Sequence, residues 1–223
     1  FKQKTAYEIK ECDWSSDVCS SDLTGQPVIG PLHASIIYDI PVFLAYLAII
    51  PGMAVFLVRI ETDFVEYYDA FYNAVRGGSS LEHIEDMRNT MVQTIRLGLY
   101  EIVKVQAIAS LLLFVVGGWL LRLLGISELY LPLLYVDVIG ASLQVVLLGV
   151  LNIYFYLDRR REVLMLTGTF VVLNFVLTRL TLSLGPAWYG YGFAVSLLIV
   201  VALALYLLDR KLDRLEYETY MLQ

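Results

Sequence analysis

The chain has 223 residues, of which 58% are apolar and only 17% carry charge, and its mean hydropathy is +0.67. Soluble globular domains contain about 25% charged residues. Almost all the charge here lies in short blocks between long uncharged runs, and this distribution excludes a soluble domain. The formal net charge is −6 and no basic stripe occurs along the chain. Nucleic acid is therefore excluded as a partner.

The first 23 residues differ in character from the rest. Phe1–Leu23 is polar and aperiodic, contains both cysteines and has no apolar stretch of the kind a signal peptide needs. The stretch from Lys4 to Leu23 resembles a translated sequencing adapter, and a native disordered tail is the alternative. We interpret 1–23 as a non-native or disordered leader and 24–223 as the transporter. The two cysteines have no histidine nearby and predict neither a metal site nor a cofactor.

Long runs without Asp, Glu, Lys or Arg predict membrane spans. Crossing a hydrocarbon core takes about 20 apolar residues, and the runs Ile40–Val58, Val105–Leu121 and Val138–Leu157 are close to that length. The pattern predicts an all-α polytopic transmembrane bundle without strands. Its five helices are expected at about 36–58, 98–122, 131–157, 162–184 and 188–208.

The segment 59–97 between the first two spans predicts a helical hairpin. Gly77-Gly78 separates its arms, and Ser79 to Glu82 matches a capping box at the start of the second arm, which continues into the second span. This hairpin could dock a cytoplasmic partner or only pack on its own bundle. The first arm has an apolar stripe at helical spacing: Phe64, Tyr67, Tyr68, Phe71 and Val75.

Lysine and arginine lie on one side of the predicted spans. They occur in segment 59–97, at Arg159–Arg161 and in the tail from Arg210, whereas the loops near 124–130 and 185–187 contain none. This asymmetry predicts that the basic side and the C-terminus are cytoplasmic. An odd number of helices then leaves the native start outside, so we expect the chain to be a fragment that lacks upstream helices.

Polar side chains within the bilayer are costly and therefore mark candidate sites. Glu101 and Lys104, three residues apart on the second span, could pair with each other, or their side chains could extend to the nearby cytoplasmic boundary. With His33 and His83 as the only histidines, no catalytic set is predicted, and we expect no enzyme. Five residues on the third and fourth spans are candidates for a substrate path: Asp137, Gln144, Asn152, Asn174 and Arg179.

The sharpest expectation concerns Asp137 and Arg179. A tight turn joins their helices, and both lie a few residues inside the outer boundary, so they are expected at similar depth. We predict an ion pair facing the bundle interior, with Gln144 and Asn174 deeper in the same polar stripe. A hydrophilic cavity for a polar solute and a purely structural buried ion pair are both compatible with this pattern.

Several stretches together resemble the C-terminal half of the PelG family, the inner-membrane component for export of the Pel exopolysaccharide. The most specific are Phe56-Leu-Val-Arg-Ile-Glu-Thr-Asp-Phe64 and Trp188-Tyr-Gly-Tyr-Gly192, with support from Tyr38–Pro51, Tyr154–Arg160 and Leu215–Tyr220. The resemblance covers essentially all of 24–223.

The resemblance implies a branch of the multidrug/oligosaccharidyl-lipid/polysaccharide flippase superfamily. Such proteins have about twelve helices in two similar halves, so this chain would hold roughly helices eight to twelve. It also implies a bacterial inner-membrane exporter of an amino-sugar biofilm polysaccharide, with a cytoplasmic glycosyltransferase and membrane scaffold subunits as partners. The alternatives are a non-conducting structural subunit of the synthase and a generic flippase for lipid-linked sugars.

Overall fold

Five helices in the described part of the chain are long and apolar enough to cross a membrane. The computed structural model describes residues 26–29, 32–34, 36–126, 130–184, 188 and 190–213. The predicted all-α transmembrane bundle is confirmed, whereas the leader, Tyr189 and the tail after Asp213 lie outside the described residues. The five candidate spans are Ile40–Arg76, Leu81–Leu123, Leu131–Tyr156, Arg160–Thr181 and Tyr191–Leu212.

A short antiparallel strand pair precedes the helices. Gln26–Ile29 (β1) pairs with Leu32–Ala34 (β2), with Pro27 opposite His33. The expectation of a chain without strands is therefore wrong for this stretch. The sequence between the two strands is Gly-Pro, which is typical of turns, and hydropathy does not report such a local turn.

The first span is interrupted in its middle. It comprises Ile36–Leu47 (α1) and Ile50–Val58 (α2), with a turn at Ala48 and Ile49 where a single helix was predicted. Pro51 lies in the first turn of α2 and has no N–H, so it suits a helix start better than a helix interior. Within a bilayer such a break needs hydrogen-bond partners from neighbouring helices.

The helix changes type where the apolar run ends. Arg59–Phe64 forms a π-helix, and Val65–Arg76 (α3) continues it as α-helix. Ile60 and Phe64 are fully buried. A π-helix widens the backbone spiral locally and often occurs at functional sites. Tyr67, a member of the predicted apolar stripe, is 39% exposed.

The second arm of the predicted hairpin and the second span are one helix of 43 residues, Leu81–Leu123 (α4). Its N-cap is Ser80, whose hydroxyl accepts a hydrogen bond from the His83 backbone N–H at 3.4 Å. The N-cap is thus one residue later than predicted, and Ser80 and Glu82 do not have the spacing of a capping box. Glu82 falls at the second helical position, whereas a capping box needs the acidic side chain at the third.

The last three helices pack in an order that differs from their order in sequence. They are Leu131–Tyr156 (α5), Arg160–Leu184 (α6) and Tyr191–Leu212 (α7). Helix α7 packs extensively against both α5 and α6, whereas α5 and α6 touch at few positions. The tight turn between α5 and α6 predicts that these two helices are neighbours. Instead α7, which follows them in sequence, packs between them.

Glycines allow α7 to take this central place. A Cβ atom on Gly192 would lie 2.8 Å from the backbone N and Cα of Thr178 on α6, and one on Gly140 of α5 would lie 2.8 Å from the Phe193 ring. Small residues let membrane helices approach closely without clashes. These two positions therefore place α7 against both of its neighbours.

Candidate functional site

Hydrogen-bonded polar side chains follow the boundary between the first span and α5, and we call this set the polar seam. The Tyr46 hydroxyl donates to Oε1 of Gln144 at 3.2 Å. Further along, Asn152 Nδ2 donates to Oε1 of Glu61, and the Tyr156 hydroxyl donates to its Oε2 at 2.9 Å. Glu61 and Gln144 are exposed on this boundary. The seam therefore presents polar groups beside helices that are otherwise apolar.

Helical periodicity places the α5 members of the seam together. Gln144, Asn152 and Tyr156 are separated by eight and four residues, so they share one face of the helix. Opposite them, the π-helix presents Glu61. Two of the predicted substrate-path candidates, Gln144 and Asn152, are thus brought into one site.

The π-helix carries a second set of charged contacts next to Glu61. Arg59 Nη1 lies 2.7 Å from Asp63 Oδ2, and Arg59 Nε lies 2.5 Å from Glu101 Oε2 on α4. The predicted partner of Glu101, Lys104, is replaced by Arg59, which reaches it from the neighbouring helix. One cation and three carboxylates (Arg59 against Glu61, Asp63 and Glu101) give this end of the seam a formal charge of −2.

A buried polar junction supports the break in the first span. Gln106 on α4 is 2% exposed, and its Nε2 donates to the Ala48 carbonyl at 2.9 Å and to Ser142 Oγ at 3.1 Å. Ser110 Oγ lies 2.8 Å from Ser142 Oγ. The side-chain amide therefore satisfies a carbonyl at the helix break, which the apolar surroundings could not do.

Asp137 lies beside the start of α7, away from the polar seam. A Cβ atom on Gly190 would come within 3.3 Å of Asp137 Oδ1. The other carboxylate oxygen, Oδ2, is buried, and no hydrogen bond to it occurs in the part of the chain that the structure describes. Gly190 has φ of +83°, a left-handed conformation that glycine adopts without strain.

The predicted ion pair between Asp137 and Arg179 is wrong. Arg179 is exposed on α6 and, among the described residues, pairs with no carboxylate. The expectation assumed that helices joined by a tight turn are neighbours along their length, whereas α7 packs against both. Asn174 accepts a hydrogen bond from Thr178 Oγ1 at 3.2 Å within α6. Neither α6 candidate shows a hydrogen bond to the polar seam among the described residues.

Combined substitution of Asp137 and Arg179 is therefore expected to show no coupling. The losses of folded protein in Asp137→Ala and Arg179→Ala should add within about 0.5 kcal/mol in the double variant. Thermal unfolding of the four proteins in detergent measures this cycle. If the double variant were more stable than the sum of the single losses predicts, Asp137 and Arg179 would be in contact, contrary to the structure.

Sequence reasoning missed most members of the polar seam. The sequence pattern places Glu61 in a hairpin arm and gives no site role to Tyr46 or Tyr156. The detectable signal was the charge at alternating positions 59, 61 and 63 directly after an uncharged run. Positions 59 and 63 share one face of a helix, whereas position 61 lies on another face, and all three positions fall within the π-helix.

Five apolar helices, an interrupted first span and a buried polar junction define a polytopic helical membrane protein. The model of the PelG family, described as "Putative exopolysaccharide Exporter (EPS-E)", matches residues 18–220. The chain belongs to the PelG family, and exopolysaccharide export is its functional class. The match begins inside the predicted leader, at residue 18. Comparison with curated proteins and with solved structures found no match.

Proposed function

We propose that the chain forms part of the inner-membrane pathway for an amino-sugar-rich, Pel-like exopolysaccharide during biofilm matrix formation. The observation that carries the proposal is the polar seam, in which Glu61 and Gln144 are exposed beside apolar spans. Side-chain oxygens and amides there would replace the water around sugar hydroxyls as the polymer crosses the bilayer. This pathway is a transport function and uses no covalent chemistry.

The partners that this function needs are also proposed. A cytoplasmic glycosyltransferase would supply the polymer, and membrane scaffold subunits would hold the two proteins together. A generic lipid-linked sugar flippase would use the same kind of polar path. Polymer export is favoured over a generic flippase because the matching family model is that of an exopolysaccharide exporter.

A structural subunit that does not conduct polymer is the second candidate function. One observation favours it: an open surface groove of about 250 Å³ lies between α4 and α7 and is lined mainly by apolar side chains. At its edge Arg96 pairs with Asp209 at 2.7 Å. A partner subunit could dock there without any polymer contacting the seam.

Substitution of Glu61 distinguishes these candidates. Glu61→Gln keeps the side-chain shape but removes the charge that receives two hydrogen bonds, which weakens each of them. We expect secreted polysaccharide to fall about fivefold, corresponding to roughly 1 kcal/mol, with unchanged protein abundance in the membrane. Glu66→Gln, an exposed carboxylate one turn further on, is the matched control. Equal secretion by the two variants would favour the structural subunit.

We propose a cytoplasmic C-terminus and a cytoplasmic 158–162 turn on the basis of the lysine and arginine distribution. Single cysteines at Arg160 and Trp188, both exposed, would be introduced after replacing Cys12 and Cys19 by serine. We expect an impermeant thiol reagent to label position 188 in intact cells and position 160 only after permeabilisation. Labelling of position 160 in intact cells would reverse the orientation.

A further inference from the structure

We propose that Tyr68, Tyr72 and Tyr156 form a sugar-stacking site at one end of the polar seam, which we call the aromatic ladder. The proposal rests on the function proposed above and assigns to it a binding site for pyranose rings. Tyr68 and Tyr72 lie 4.5 Å apart between ring centroids, and Tyr68 and Tyr156 lie 5.9 Å apart. The ring planes are tilted by 47° and 56° against each other, so the three rings form one contiguous aromatic cluster from two helices.

The ladder is held by buried aromatic neighbours. Phe64 is fully buried and contacts Tyr156 edge-on at 5.5 Å, and Phe71, 1% exposed, contacts Tyr72 edge-on at 5.1 Å. The tyrosines themselves are only partly buried. Buried phenylalanines thus provide a rigid backing, while the tyrosine rings in front of them keep accessible surface.

The ladder and the polar seam are continuous through Tyr156. Its hydroxyl donates to Glu61 at 2.9 Å, while its ring packs against Tyr68. From Glu61 to Tyr72 the helix advances by roughly 16 Å at 1.5 Å per residue. The ladder therefore extends the seam beyond Val58, where the uncharged run of the first span ends. It lies at the end of α5 that leads into the 158–162 turn, the side proposed to be cytoplasmic.

This combination of groups fits a polysaccharide. A pyranose ring has apolar C–H faces and a polar rim of hydroxyl groups, so it matches an aromatic face with hydrogen-bond acceptors at its edge. The carboxylates of the π-helix favour protonated amino groups near Glu61. The charged groups around Tyr68 and Tyr72 are of both signs: Asp69, Asp158, Arg76 and Arg159. The occupant of the ladder would be the sugar rings of the polymer proposed above, with their hydroxyl groups near Glu61.

Binding of a soluble probe tests the ladder. The full chain in lipid nanodiscs is titrated calorimetrically with a partly N-acetylated glucosamine oligosaccharide. Because Tyr68→Leu with Tyr72→Leu keeps apolar bulk but removes the aromatic faces, we expect about tenfold weaker binding. Tyr68→Phe with Tyr72→Phe should bind within about threefold of the unmodified chain. Tyr67→Leu, the exposed neighbour outside the ladder, is the matched control and should not differ.

Several results would overturn the ladder: no binding by the unmodified chain, equal binding by the double leucine variant, or an equal loss in Tyr67→Leu. Far-UV circular dichroism of each variant shows whether it is folded, and the phenylalanine pair supplies a variant with nearly unchanged packing. If Glu61→Gln lowers secretion while the ladder variants bind normally, the ladder fails and the export pathway stands. If binding depends on the ladder while Glu61→Gln secretes normally, the site stands and the pathway through the seam fails.

Discussion

Gly192→Ala is expected to destabilise the bundle by about 1–3 kcal/mol, the usual cost of overpacking. The added Cβ would lie 2.8 Å from the backbone of Thr178, and backbone atoms cannot rotate away as a side chain can. Helices α6 and α7 would have to separate, and α7 holds α5 and α6 together. The measurement is the thermal unfolding of the purified chain in detergent, followed by circular dichroism.

Gly168→Ala is the matched control for this prediction. Gly168 lies inside α6, and a Cβ atom there would have no neighbour within 4 Å. Alanine is a better helix former than glycine by up to about 1 kcal/mol, so this variant should be as stable as the unmodified chain or more so. Equal stability of the two variants would contradict the close approach of α6 and α7.

Phe71→Ala is expected to release α3 from the bundle. The Phe71 ring is 1% exposed, and removing such a ring from a core costs about 3–5 kcal/mol. The opened state of α3 should become at least about a hundredfold more populated. Trypsin cleavage after the exposed Arg76 reports this opening, because proteolysis follows the population of the open form when closing is fast.

Tyr67→Ala serves as the control on the same helix, since Tyr67 is 39% exposed. Its cleavage rate should stay within about threefold of the unmodified chain, because a surface substitution changes stability by about 0.5 kcal/mol at most. If Phe71→Ala is cleaved no faster than Tyr67→Ala, α3 does not depend on its buried face. The alternative that the segment 59–97 is free to dock elsewhere would then be favoured.

The membrane spans could be predicted from the sequence because they follow from a local rule. Each uncharged run is long enough to cross the bilayer, and a chain in lipid must satisfy its backbone groups within helices. The interruption at Ala48 was harder to predict, since Pro51 allows either a kink or a new helix start. The carbonyl that the break exposes is satisfied by Gln106, which lies 58 positions later in the sequence.

The candidate site was predicted in part, because polarity within an apolar helix is visible in sequence but its direction is not. Gln144 and Asn152, predicted as substrate-path candidates from their polarity within an apolar helix, lie in the polar seam. Asp137 is separated from Gln144 by seven residues, yet it faces the start of α7. Glu61 and Tyr46, which complete the seam, lie in helical segments other than α5. Periodicity relates residues within one helix only, so it could not predict these contacts.

The sequence by itself determined the class of protein, the number of spans and the family. A long uncharged run becomes a membrane-spanning helix because lipid offers no hydrogen bonds to its backbone groups. A helix satisfies those groups with residues four positions away, so the rule is local. Tertiary structure alone decided that α7 packs between α5 and α6, that Arg59 pairs with Glu101, and that three tyrosines meet in one ladder. These features depend on side-chain volumes at close approaches such as Gly192, which join residues far apart in the chain.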